Sequence, residues 1–538
     1  MLSKLIKLPT NAKVGVVGGG VSGLTFTYFL GKLRPDVQIT LFNPESRPGG
    51  WINSWDTKDK KGKPVMIERG PRTFRGVSDG TVMIMDTMLE MNKSDIIRTI
   101  SKDSNADKKF IVDPNDNLVQ IPNSFGTMIK FFMNPLSKGL IPGILMEWSR
   151  KTVDQKIKDE SVLSLMTRRY GNSHIARNLF SALYRGIYAD DVGNLSAQKI
   201  VGKMYCDERK YGSITKGSWA RWRENKSKPE EEPNKLTDCV ALYAKVFNKD
   251  TTKIHALSKK LSQFPMLGLK GGLSQFPNTF KEAIVKLPNV TMLTDSVITM
   301  KQTKDKVNLE YENDTAKKTN QEFDHVRLAI APNMFSKMIK KTNPNLFKKL
   351  ETIKTNTVVL VNLYIPDKDI IPQSKNGFGY LIPETNKNPE KVLGVIFDSV
   401  IEKNFKPFNK IENGNETVTN TNYTKLTAMV GGSMFNDANG IQQNIPTEQE
   451  AINNVKSALQ KHLGAAQTDL DAGQWIYTVA QDCLPQFKVG YDDLIKDIEK
   501  DVINDYSSRV SLGGMGFSKG PGLPDVVTDA LVDATKLQ

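Results

Sequence analysis

The glycine-rich turn at residues 18–23 constrains this chain more than any other stretch. KVGVV (residues 13–17) is a short β-branched run of the kind that fills a buried parallel strand. GGGVSG follows directly, then LTFTYFLGKL with apolar residues at helical spacing, then a second strand pattern, VQITLF. Within the turn, Gly18, Gly20 and Gly23 form GxGxxG. The first glycine permits a tight bend, the second lets backbone approach a pyrophosphate, and the third lets a helix close on a strand. Gly19, Val21 and Ser22 complete the loop, whose N–H groups and helix dipole favour an anion. Strand, glycine turn, helix and strand in that order predict a right-handed βαβ unit that binds a dinucleotide.

In such units an acid about 20 positions past the glycines takes the ribose hydroxyls. Here that place falls to Asn43, in LFNPES, which can hydrogen-bond a hydroxyl but brings no charge. Glu45 is the carboxylate close enough to substitute for it. Immediately after comes RPGGW, residues 47–51, and then ERGPRTFRG, residues 68–76. An arginine followed by paired glycines suits a second backbone approach to phosphate, a loop that nicotinamide dehydrogenases do not usually need.

At 538 residues the chain is long enough for two or three domains. Lysine and arginine number 74 against 59 acids, a net charge of +15. That surplus suits nucleic acid, an anionic lipid surface or a carboxylate- or phosphate-bearing ligand, or it is an unspecialised basic surface. No zinc-finger, RNA-recognition or helix-turn-helix signature supports nucleic acid. Cys206, Cys239 and Cys483 lie far apart and there are only four histidines, so neither a disulfide framework nor a metal centre is expected. Reduced thiols point to an intracellular compartment, and the sequons at Asn415 and Asn422 read as chance matches. The opening MLSKLIKLPTNAK, with three lysines and no acid, is either a short mitochondrial-type address or a basic lead-in to the first strand. No apolar run reaches the ~18 residues of a spanning helix. The nearest, residues 125–148, is broken by Lys130, Lys138 and two prolines, which suits a membrane interface or a substrate-domain core.

Further along, NVTMLTDSVITMKQTKDKVNLEYEN gives three short strands and HVRLAIAP a fourth. TVVLVNLYI and LGVIFDSV form a strand pair flanking a glycine loop, GFGYLIP. Residues 222–255 read as a charge-dense exposed insertion, and residues 402–425 as a flexible surface loop. RVSLGG, a glycine-rich turn GGMGFSKGPGLPD and the helix VVTDALVDATK close the chain. The C-terminal segment is therefore expected to fold back beside the N-terminal unit and complete one cofactor domain.

RPGGW, GPRTFRG and the C-terminal glycine turn, added to VVGGGVSGL, resemble the flavin amine oxidase superfamily. With KKFIVDP, MLGLKGGLSQFP, GFGYLIP and LGVIFDSV in order, the likeness is to its protoporphyrinogen oxidase family, most nearly the fungal mitochondrial form, over essentially the whole chain. The resemblance implies one non-covalent FAD per chain. Gly18 to Gly23 would bind its pyrophosphate, with Asn43 where the family has a ribose-binding glutamate. Arg47, Gly50 and Trp51 would flank it, and Gly70, Pro71, Arg72 and Thr73 would line it near the flavin. Val297 would contact the adenine side, and Met515, Gly522, Leu523 and Pro524 the isoalloxazine side. For substrate, Lys109 falls where the family pairs a base with a propionate. Lysine keeps the charge there but loses a bidentate fork. Phe378 would pack on a pyrrole ring, and Arg72 would face the substrate as well.

The implied fold is mixed α/β, with a Rossmann-like FAD domain from residues 1–100, 261–335 and 481–538. A helical substrate- and membrane-associating region would span 101–260 and a β-containing substrate-binding domain 336–480. The implied reaction is oxygen-dependent six-electron oxidation of a porphyrinogen in heme biosynthesis, in three hydride transfers that each yield hydrogen peroxide. The flavin carries this chemistry, and no catalytic acid, base or metal is nominated. The implied setting is peripheral attachment to the mitochondrial inner membrane, a homodimer, and hand-over to ferrochelatase, with no nucleic acid. Alternatives are another amine oxidase or desaturase of the superfamily, or a non-enzymatic GTPase carrier of the same architecture.

Overall fold

The computed structural model describes residues 5, 7–154, 156–227, 236–409, 422–437 and 439–538. Its cofactor half is built on a five-stranded parallel sheet in the order Val510–Leu512, His325–Leu328, Lys13–Val17, Gln38–Phe42, Val290–Leu293. These strands are apolar runs because both faces are covered, and Val14, Val16, Leu41 and Leu328 are fully buried. The opening helix Val21–Leu33 packs against the closing helix Leu523–Lys536 and against Gln275–Val285. On the other face lies a three-stranded antiparallel sheet, Ser296–Gln302, Val307–Glu312 and Lys318–Phe323. The sheet draws on residues 13–42, 290–328 and 510–512, as the two distant glycine turns lead one to expect.

From the Lys13–Val17 strand the chain winds outward on one side to Gln38–Phe42 and on the other to His325–Leu328. This is the topological switch point, and open α/β sheets bind ligands outside the carboxyl ends of the strands there.

The second layer is a seven-stranded mixed sheet: Gln474–Pro485, Thr355–Ile365, Thr424–Gly431, Val392–Ile396, Gly379–Leu381, Lys109–Val112, Leu118–Gln120. Its pairings are antiparallel except for the parallel step between Gly379–Leu381 and Lys109–Val112. The helix Glu448–Leu463 buries Ile452, Val455 and Leu459 against it.

Several sequence expectations need correction. GFGYLIP is not a loop but contains the strand Gly379–Leu381. Its glycines let that strand sit flush against Phe110 and the Val395 carbonyl. LGVIFDSV is a strand only to Ile396, and Asp398–Lys403 is helical. In the supposed insertion, Asp238–Val246 and Thr251–Leu261 are helices whose Val240, Tyr243, Ala244 and Ile254 are buried. Lysines and acids on the outer faces of these helices hid the apolar stripe beneath. Residues 228–235 of that run lie outside the described residues, as do 1–4 and 6 of the basic lead-in. So do 410–421, which include Asn415. At the edges of the supposed 402–425 loop, Lys406–Pro407 pairs with Ile97–Ile100, and Thr424 opens a buried strand.

Candidate cofactor and substrate site

The loops that leave the carboxyl ends of the parallel strands carry the expected cofactor motifs. Gly18 has φ +107°, and its N–H donates to the Phe42 carbonyl at 2.9 Å. A Cβ there would lie 2.6 Å from the Ala329 carbonyl oxygen, and one on Gly23 would overlap the Gly18 carbonyl. Helix and turn thus close on each other only through glycine. Gly20 caps the helix with no side-chain hydrogen bond, and its first turn holds no acid. Its terminal N–H groups and dipole are left for an anion. Beside Gly20 the nearest atom to a Cβ is the Gly50 Cα at 4.0 Å, so the turn faces open space. The buried Ser22 hydroxyl has no partner among the described residues. An unfilled cradle, free helix-end amides and an orphaned hydroxyl together fit a dinucleotide pyrophosphate.

The RPGGW loop closes over this turn. Gly49 N–H donates to the Gly19 carbonyl at 2.8 Å, and Gly20 and Gly49 form a parallel bridge. Arg47 is spent on its own loop: its Nη1 donates to the Gly50 and Ile52 carbonyls at 2.8 and 2.9 Å, and Nη2 pairs with Glu45 at 3.0 Å. It shapes the loop that would flank the cofactor and offers no free charge to it. Asn43 Nδ2 donates to the carbonyls of Glu45 and Arg47, which leaves Oδ1 as the acceptor it can turn to a ribose hydroxyl. Glu45 is committed to Arg47 and largely exposed. Trp51 is also half exposed, and its carbonyl rests on Gly70.

The GPRT segment departs further from expectation. Arg72 Nη1 donates to Asp398 Oδ1 at 2.6 Å, with both side chains buried, and Nη2 donates to the Gly70 carbonyl. Asp398 Oδ2 in turn accepts from Thr427 at 2.6 Å. Arg72 therefore staples the two halves of the fold through a buried ion pair. Pro71 and Thr73 continue that segment, which leads to a cavity of about 390 Å³. Thr73, Phe74, Arg75, Val77, Lys109, Pro265 and Met266 line it. Lys109 lines this cavity, and its ammonium donates to Asp107 Oδ1 at 3.1 Å. Phe378 does not join it. It is half-buried and packs against the core of the seven-stranded sheet, with its N–H on the Lys108 carbonyl at 2.7 Å.

At the far end, Gly513 N–H donates to Leu328 and Gly514 has φ +95°. Tyr491 Oη holds the Gly516 carbonyl at 2.7 Å beside Met515. Gly522 caps the closing helix, which starts at Leu523 and Pro524 with Pro524 against Gly80. Val297 is half-buried in the small antiparallel sheet, opposite Tyr311. Arg75 was not singled out from sequence, and neither were its electrostatic neighbours Tyr188 and Asp525. Burial raises the Asp525 carboxyl above its ordinary value, and the Arg75 charge pulls it back down. Nothing local in the text marks these three as neighbours, because they come from three remote segments.

Residues 21–498 match the family model described as flavin containing amine oxidoreductase. The chain is 48% identical over its full length, and the whole of the relative's, to a protoporphyrinogen oxidase of Saccharomyces cerevisiae. It is 29% identical to that of Schizosaccharomyces pombe, over 97% of this chain and 98% of the other. A crystal structure from Exiguobacterium sp. 255-15 shares the fold, with a TM-score of 0.68 over 98% of both chains at 18% identity. The chain accordingly belongs to the flavin containing amine oxidoreductase family, in its protoporphyrinogen oxidase branch, and its cofactor is FAD.

Proposed function

We propose that this chain oxidises protoporphyrinogen IX to protoporphyrin IX in heme biosynthesis, with dioxygen as the terminal acceptor. The observation that carries the reading is the cavity that joins Thr73 of the GPRT segment to Lys109. Its walls Phe74, Val77, Pro265 and Met266 are apolar and its charges are cationic, which suits a large apolar macrocycle with carboxylates on one edge. When bound, FAD accepts two electrons at a time as hydride and returns them to dioxygen, so six electrons leave in three rounds, each giving one hydrogen peroxide. The chain's own part is to hold the dinucleotide on the 18–23 and 47–51 loops, orient the macrocycle and shield it from water. No acid or histidine lines the cavity among the described residues. Lys109 and Arg75 there disfavour a cationic amine substrate and favour an anionic one.

An aerobic assay of the purified, FAD-loaded chain with protoporphyrinogen tests the reading. Porphyrin fluorescence and peroxide should rise together, with three peroxides per porphyrin. Turnover of polyamines instead, or no turnover at all, would overturn it.

The same reading places the protein on the face of the mitochondrial inner membrane, and three helices support a lipid interface. Phe125–Phe132, Leu140–Glu147 and Ile214–Ser227 expose Phe125 (74%), Met133 just beyond the first helix (82%) and Leu145 (66%). Trp148, Trp219 and Trp222 are exposed too, with Lys216, Arg223 and Lys226 over their rings at 6.0, 5.6 and 5.0 Å. No described helix is long and apolar enough to cross a membrane. Amphipathic indoles beside cations are the chemistry of an anionic lipid surface. Replacing the three tryptophans with alanine should abolish cosedimentation with phosphatidylglycerol-containing vesicles, and unchanged cosedimentation would refute the interface. A homodimer and direct hand-over of product to a ferrochelatase belong to the same reading, and both rest on the family likeness alone.

A further inference from the structure

Residues 47–75 hold four arginines, and three of them are occupied. Arg47 clamps its loop carbonyls, Arg69 lies over the Trp55 ring at 3.7 Å, and Arg72 is buried against Asp398. Arg75 differs from all three. Its carbonyl accepts from Thr81, but among the described residues its guanidinium has no hydrogen bond and no ion pair within 4.0 Å. It is exposed, and it lines the same cavity as Lys109 and Thr73. Its electrostatic neighbours are the Tyr188 ring and Asp525, which stands close enough to feel the charge but not to neutralise it by contact. Lys109, by contrast, shares its charge with Asp107.

From this arrangement we propose that Arg75 is a substrate-binding residue, the stronger of two carboxylate anchors in the cavity. Arg75 receives one carboxylate of a dicarboxylic macrocycle while Lys109 receives the other. The inference rests on the porphyrinogen reading above and deepens it. An unpaired guanidinium presents a planar fork of donors matched to a carboxylate, whereas an ammonium held by Asp107 offers a weaker point charge. Two cations in one apolar-walled cavity would fix the orientation of the ring and select for diacids over neutral macrocycles.

The test compares the full-length, FAD-loaded chain with R75Q and R75K, using protoporphyrinogen IX and its dimethyl ester. With the diacid, R75Q should raise KM about ten- to hundredfold, the loss of one charge-assisted contact, and R75K should recover part of it. The loss should fall on KM more than on kcat. With the ester the KM of R75Q should stay within about threefold of the unmodified chain. Equal effects on diacid and ester, an unchanged KM for the diacid, or loss of bound FAD in R75Q would each overturn the assignment. If the unmodified chain oxidises neither compound, the porphyrinogen reading falls separately. The anchor is then judged by flavin-fluorescence titration with protoporphyrin IX and its dimethyl ester. Weaker diacid binding confined to R75Q upholds it. No preference of the unmodified chain for the diacid refutes it.

Discussion

Ser22 carries a buried hydroxyl with no partner among the described residues, at the point where the opening helix offers its end amides. S22A should leave the melting temperature of the flavin-free protein unchanged and weaken FAD about tenfold, the worth of one bond to a charged group. Titration of flavin fluorescence measures it. G23A is expected to behave differently, because its Cβ would overlap the Gly18 carbonyl and push helix from turn. It should purify colourless, without the flavin band. Arg72 and Arg75 make a second contrast. R72M leaves Asp398 buried without a counter-charge and should cost about 3–5 kcal/mol in urea unfolding. The glycines were legible in the sequence because their requirement is local: a tight turn and a close approach. The arginines were not, because Arg72 is claimed by Asp398, 326 residues away. Asn43 lies between these cases. Its position was legible, but not the two loop carbonyls that fix its amide.

At the scale of elements, the start of the helix Ile214–Ser227 is held by a single side chain. Glu147 is buried and accepts from Ser213 Oγ at 2.6 Å, Ile214 N–H at 2.8 Å and Thr215 N–H at 3.0 Å, and Arg169 Nε donates to it at 2.7 Å. Burial alone would raise its carboxyl, but the bonds from Ser213, Thr215 and Ile214 outweigh that and hold it at about 2, against 4.5 when free. A depressed carboxyl stabilises above its unfolded value and loses that contribution as pH falls through the folded one. Thermal stability should therefore decline between about pH 4.5 and 2. In E147Q this part of the acid sensitivity should vanish, together with about 1–3 kcal/mol at neutral pH, because Arg169 loses one of its two buried carboxylate partners and keeps Glu208. Denaturant melts across pH check both. The five strands of the parallel sheet were readable from β-branched runs, but of the seven-stranded sheet only Thr355–Ile365 and Val392–Ile396 were. The helices at 238–261 and the strand at 379–381 were not, since charged outer faces and glycines mask the apolar periodicity on which such readings depend.

Taken whole, the molecule is held shut by its ends. The closing helix packs on the opening one, and buried Arg327 of the central sheet pairs with Asp533 of the closing helix. Deleting residues 513–538 should strip that face of the sheet and yield insoluble, flavin-free protein, as expression trials with absorbance at the flavin band would show. The parallel sheet needs Val510–Leu512 beside His325–Leu328 before its carboxyl edge is complete. A ribosome adding about 5–20 residues per second needs on the order of a minute to travel from the first glycine turn to that last strand. For that interval the nascent chain lacks the last strand of its cofactor edge. FAD capture should then follow completion of the chain, and added flavin during expression should raise the yield of folded protein.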